Sequence, residues 1–108
     1  MSNLKKQNIQ ESYFLDTLLD ILYSQKIQDI IIYRGTDSLA YKNIIISTAN
    51  SNTQMSGVVK KITDILKDKS SLNVEGKDST WLLIEVKEIL IHIFNNDSRE
   101  FYNLEDIY

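Results

Sequence analysis

The sequence predicts a single α/β domain, a mixed β-sheet with helices packed on it, and three observations lead there. The chain has 108 residues, enough for one hydrophobic core and too few for two. Two segments repeat apolar residues at helical spacing, and several short runs dense in isoleucine have the length of strands. Their order along the chain is helix, strand, strand, helix, a short extended piece, a strand pair and a last helix.

Residues 8–24 carry Phe14, Leu15, Leu18, Leu19, Ile21 and Leu22 at i, i+3 and i+4 spacing, the stripe of a helix with a wide buried face. Residues 27–33 then switch to a run of β-branched isoleucines that ends in the turn-forming Gly35, Thr36, Asp37 and Ser38. Residues 43–48 repeat the pattern with Ile44, Ile45 and Ile46. Neither run alternates with polar residues, which predicts strands covered on both faces. Ser51 followed three residues later by Gln54 has capping-box spacing. It opens a helix to about Lys67, striped by Met55, Val58, Val59, Ile62, Ile65 and Leu66. After polar Asp68, Lys69, Ser70 and Ser71 comes Leu72, Asn73 and Val74, a short extended piece before Gly76. Residues 81–86 and 89–94 are strand-like and separated only by Lys87 and Glu88, the spacing of a tight antiparallel hairpin, although neither turn residue is glycine or asparagine. Asn96, Asp97 and Ser98 supply cap chemistry for a short helix bearing Phe101 and Tyr102, and Asn103 with Asp106 can cap a further turn ending at Tyr108.

Composition narrows function by exclusion. There is no cysteine and one histidine, so disulfides, thiolate catalysis and cysteine zinc sites are out, and no cofactor is expected. A net charge of −3 makes a broad phosphate-binding face improbable, so sequence-specific nucleic-acid binding is not expected. The longest apolar runs are far short of a membrane span, and no apolar targeting core follows Lys5 and Lys6, which predicts a cytoplasmic protein with no membrane partner. Gly35 to Ser38 lack the further glycines and the Lys-Ser/Thr of a phosphate-gripping loop. Lys60, Lys61, Lys67 and Lys69 are interspersed with Asp64 and Asp68, as on a solvated helix surface.

Few residues stand out chemically. Trp81 opens a strand, where a tryptophan more often closes the edge of a core than anchors an interface. As an interface anchor, its truncation would weaken binding without unfolding the domain. His92 alternates with Leu90 and Phe94 on one strand face. It has no recognisable nucleophile or carboxylate partner, so it reads as a hydrogen-bonded structural residue. Glu85 and Glu88 flank the hairpin turn. Two carboxylates can hold a metal, but the position two after Glu85 is Lys87; the pair is either a solvated turn or a contact for a partner's Arg or Lys. Tyr102 and Tyr108 either pack the tail onto the sheet or extend an interface.

Taken in order, Glu75-Gly76, Trp81, Glu85, Glu88, His92-Ile93-Phe94, Arg99, Tyr102 and Leu104-Glu105 resemble the C-terminal segment of the ribosomal silencing factors, the Iojap-like proteins. Lys26, Asp29 and Ile30 are similar to that family's Lys-x-x-Asp-Ile lead into its first strand, so the resemblance covers residues 15–108. The chain departs from the family pattern at Arg34 and Lys42, where relatives commonly carry Asp, at Ala49 and Lys87, where they carry Gly, and at Tyr108, where they carry Trp. The resemblance implies a nucleotidyltransferase-like topology without the catalytic motif and a non-enzymatic role. It further implies binding to the large ribosomal subunit through ribosomal protein fourteen and steric exclusion of the small subunit, repressing translation when nutrients are scarce. It turns Trp81 into a partner contact and favours the same for Glu85 and Glu88. The candidate partner-binding set is therefore Trp81, Glu85, Glu88 and Tyr102. The alternatives are a nucleotidyltransferase-like nucleotide-binding protein or enzyme, and a chain that forms a homodimer through an exposed strand edge when free.

Overall fold

The computed structural model describes residues 2–35, 40–77 and 80–106, with side chains from residue 13 onward. Helix α1 spans Ser2–Ser24, β1 Gln28–Arg34, β2 Asn43–Thr48, α2 Asn52–Ile65, β3 Leu72–Glu75, β4 Trp81–Val86, β5 Ile89–Phe94 and α3 Asn96–Tyr102. Short 3-10 turns occupy Lys69–Ser71 and Leu104–Asp106. Thr36, Asp37, Ser38 and Tyr108, to which the sequence assigns a turn and tail packing, lie outside the described residues.

The strands form one mixed sheet in the order β1-β2-β5-β4-β3. The central pair, β2 and β5, is parallel and every other pair is antiparallel. Both long helices cover one face. Leu18, Ile21 and Leu22 from α1 and Met55, Val58 and Ile62 from α2 pack with Ile45, Leu82, Ile84, Val86, Ile91 and Ile93. Burying each such side chain contributes about 1.5–3 kcal/mol before conformational entropy is set against it. The opposite face has a smaller cluster of Ile46, Phe94 and Leu104, with Tyr33 and Trp81 packed against it.

Local chemistry accounts for the element ends. Helix α1 begins at Ser2, ahead of the expected residue 8, because the apolar stripe starts later than the helix does. It stops where Lys26 takes a left-handed φ of 59°. The Lys26 N–H then donates to the Tyr23 carbonyl and the Ile27 N–H to that of Leu22, both at 3.0 Å. This is a Schellman closure, with Ile27 as its buried apolar residue and not the first residue of the strand. Helix α2 starts as expected: the Ser51 hydroxyl accepts the Gln54 N–H at 3.2 Å, while the Gln54 side chain takes the Asn50 N–H at 2.7 Å. It ends at Ile65, two residues before the expected Lys67.

The hairpin between β4 and β5 is tight, with Val86 opposite Ile89. Its cost falls on Lys87, held at a left-handed φ of 53°. The turn after β1 needs its glycine, because a Cβ on Gly35 would lie 1.7 Å from the Tyr41 carbonyl oxygen. One expectation fails. The apolar run of β1 is not covered on both faces: Ile31 and Ile32 are 38% and 43% exposed. The strand stands at the sheet edge with a neighbour on one side only, and its register breaks between Gln28 and Ile31. By contrast β2, in the middle, is buried along nearly its whole length as expected.

Candidate functional site

Period-two alternation along β4 sends Leu82, Ile84 and Val86 into the helix-covered core and leaves Trp81, Leu83 and Glu85 on the other face. Cross-strand pairing extends that face. Trp81 lies opposite Phe94, Leu83 opposite His92 and Glu85 opposite Leu90, while Glu75 of β3 stands opposite Leu83. The expectation that His92 shares a face with Leu90 and Phe94 is met.

An aromatic group forms at one end. The Trp81 ring centroid lies 5.0 Å from that of Phe94, 5.8 Å from that of His92 and 4.8 Å from that of Tyr102. Phe101 meets Tyr102 edge-on at 5.1 Å. Offset and tilted ring pairs at these separations are favourable beyond the area they bury. The indole Nε1–H of Trp81 donates to His92 Nδ1 at 3.1 Å, so His92 is the neutral tautomer with its proton on Nε2. Burial pushes His92 down from 6.5 to about 4. The sequence reading of His92 as a hydrogen-bonded structural residue thus acquires a partner.

At the other end sit the carboxylates. Glu85 lies four residues along β4 from Trp81, roughly 13 Å at strand rise. Its carboxylate accepts the Tyr41 hydroxyl at 2.6 Å. Glu88, at the hairpin turn, pairs with Lys42, Nζ to carboxylate 3.2 Å, and its carbonyl accepts the Lys42 N–H at 2.7 Å. The base at Lys42 is therefore answered by Glu88 within the chain, and Arg34 is exposed at the end of β1. Among the described residues no group of three or more His, Asp or Glu side chains could hold a metal ion.

Of the four candidate residues, Trp81, Glu85 and Tyr102 are brought to one face, and Glu88 stands at its edge beside the turn. Residues that the sequence reading did not single out are Leu83, half-buried between Trp81 and Glu85, and Phe101, 81% exposed. Both left a signal. Leu83 shares the period of Trp81 and Glu85, and a seven-residue helix cannot bury two adjacent aromatics. The cap of that helix is also one residue earlier than expected: Asn95, not Asn96 to Ser98, accepts the Ser98 N–H at 2.9 Å.

The chain is similar to the chloroplastic Iojap protein of Zea mays, 38% identical over 66 residues, which are 59% of this chain and 29% of the maize protein. It is 31% identical over 75 residues to the ribosomal silencing factor RsfS of Bacillus subtilis, covering 66% of this chain and 63% of that one. With RsfS of Haemophilus influenzae the identity is 28% over 99 residues, covering 87% and 96% of the two chains. The matched part is thus less than a third of the maize protein and under two thirds of the Bacillus one. A crystal structure of a Chromobacterium violaceum protein shares the fold, with a TM-score of 0.77 at 21% identity over 90% of this chain and 84% of that one. A family model described as "Ribosomal silencing factor during starvation" matches residues 6–108, and the chain belongs to that family.

Proposed function

We propose that this protein silences ribosomes by docking the face of Trp81, Leu83, Glu85 and Tyr102 on the large subunit, through its ribosomal protein fourteen, so that the small subunit is sterically excluded. The observation that carries the reading is the asymmetry of the sheet. One face is closed by two long helices, and the other presents aromatic rings at one end and the Glu85 carboxylate toward the other, with Glu75 opposite Leu83. Rings supply the apolar centre of an interface, and carboxylates on a chain of net charge −3 favour a basic protein over bare RNA. Translation falls on this reading because joined ribosomes become scarce, and the protein works in the cytoplasm without catalysing a reaction. We read the topology as nucleotidyltransferase-like with the catalytic carboxylate pair missing, since Lys87 stands two residues after Glu85.

Cosedimentation with isolated large and small subunits tests the proposal. The native protein should pellet with large subunits only. Glu85→Lys combined with Glu75→Lys should weaken that binding by about tenfold, through like charges set against a basic partner. Undiminished pelleting of the doubly reversed chain would remove this face from the interface.

The free chain, on the same proposal, pairs with a second copy along β1. This edge strand exposes Ile31 and Ile32 on its two faces and has a strand neighbour on one side only. Sedimentation equilibrium should show a concentration-dependent dimer that Ile32→Lys shifts to monomer; an unshifted dimer would place the contact elsewhere.

A further inference from the structure

Helix α3 carries Tyr102 into the aromatic group, yet none of its own side chains is buried. A helix of seven residues is far too short to persist by itself, so contacts beyond the helix must decide where it lies. One is apolar: Leu104, just past the helix, joins Ile46 and Phe94 in the small cluster. The other is Arg99. Its side chain is 12% exposed, and it ties three separate parts of the chain to α3. Nε donates to the Glu105 carboxylate of the following turn. Nη1 donates to the Asp29 carbonyl at 2.9 Å and to the Thr48 hydroxyl at 3.0 Å. Asp29 lies in the register break of β1 with a left-handed φ of 50°, and Thr48 is the last residue of β2.

We infer that Arg99 is a positioning residue for the docking face: it fixes α3 so that Tyr102 stacks on Trp81 and a partner meets one continuous aromatic surface. The inference rests on the proposed docking role of that face and says how the face is assembled. Arginine is required by geometry as well as charge. Two of its nitrogens point in fixed directions at a carboxylate and at two neutral oxygens, whereas a lysine ammonium can keep the ion pair but cannot hold that fork. Without it α3 keeps the Leu104 tether and the Asn95 N–H bond to the Thr80 carbonyl, but its rotation about them is free to change.

The single tryptophan of the chain makes this measurable, because Trp81 emission reports directly on its packing against Tyr102. Arg99→Lys should shift that emission to the red in the same direction as Tyr102→Ala, and the double variant should shift it no further than Tyr102→Ala alone. Thermal unfolding followed by circular dichroism should stay near native, since the large cluster under α1 and α2 is untouched. Binding to large subunits should fall about 5–10-fold in Arg99→Lys, and the double variant should bind no more weakly than Tyr102→Ala, the non-additivity expected of residues acting through one another. A purely structural arginine would lower the melting point and add its loss to that of Tyr102→Ala. Glu105→Gln, which spares the Asp29 and Thr48 bonds, provides a milder variant and should give a smaller red shift. Native emission in both Arg99→Lys and Glu105→Gln overturns the inference whether or not the protein binds ribosomes. Shifted emission with a native chain that never pellets with large subunits upholds the positioning and overturns the docking role beneath it.

Discussion

Trp81→Ala is expected to lose large-subunit binding and, at the same time, about 2–4 kcal/mol of folding stability, a little under the range for a fully buried aromatic because the indole is only half-buried. The sequence leaves two readings of a strand-leading tryptophan, the closure of a core edge and, through the family resemblance, an anchor that can be removed without unfolding the domain. The geometry joins the two roles. The indole covers Phe94, which is fully buried, packs against Tyr102 and donates its N–H to His92. Removing it therefore opens a gap over the small cluster and withdraws a hydrogen bond of about 1 kcal/mol. Trp81→Phe separates the terms, since it keeps a ring over Phe94 and loses the N–H alone; its cost should be near 1 kcal/mol. Urea unfolding followed by far-ultraviolet circular dichroism measures both variants. A native midpoint for Trp81→Ala would show that the ring is not holding the cluster closed, and undiminished pelleting with large subunits would take it out of the interface.

How much of this was legible in the sequence depended on whether the signal is local. The bounds of β2 and β5 follow from isoleucine density, and those of β4 from its apolar run and the two-residue gap at Lys87 and Glu88, because strand propensity and hairpin length act within a few residues. The start of α2 follows from Ser51 and Gln54 for the same reason. Strand β1 shows where such reasoning stops: its isoleucines look like those of β2, but exposure is decided by the sheet order, and that order is set by pairings between distant segments. The site divides in the same way. Trp81, Leu83 and Glu85 share a face by strand period, whereas the placement of Tyr102 over Trp81 needs the Arg99 bonds to Asp29 and Thr48, residues 70 and 51 positions away. Lys42 is the clearest example. In the sequence its sign is a departure from the family pattern, and only the fold reveals that Glu88 answers it.

Acid should loosen this face through His92 before it disturbs the ordinary carboxylates as a class. The imidazole is 5% exposed and is held neutral, with its pKa moved from 6.5 to about 4 by burial. A folded-state pKa below the unfolded value means that the unfolded chain takes up the proton first. The neutral form's contribution is therefore complete above about pH 6.5, declines as pH falls through the window between 6.5 and 4, and is gone below it. At 1.36 kcal/mol per unit, the full depth of the window is about 3 kcal/mol. The folded imidazole itself takes up a proton only near pH 4, and that proton lands on Nδ1, the atom that accepts the Trp81 N–H, so it breaks the contact that orients the indole. Asp68, whose carboxyl the Ser70 hydroxyl and N–H hold below its usual 3.8, acts at still lower pH and does not share this window. His92→Asn isolates the effect, because the amide oxygen can accept the indole N–H near the Nδ1 position and does not titrate. Urea unfolding of both chains at pH 7 and pH 4.5 should show the native protein losing about 2–3 kcal/mol more than the variant, and Trp81 emission should move to the red only in the native chain as pH falls through about 4. Equal losses in the two would mean that His92 is not carrying the acid response, and that the buried imidazole accepts its proton at no cost to the fold.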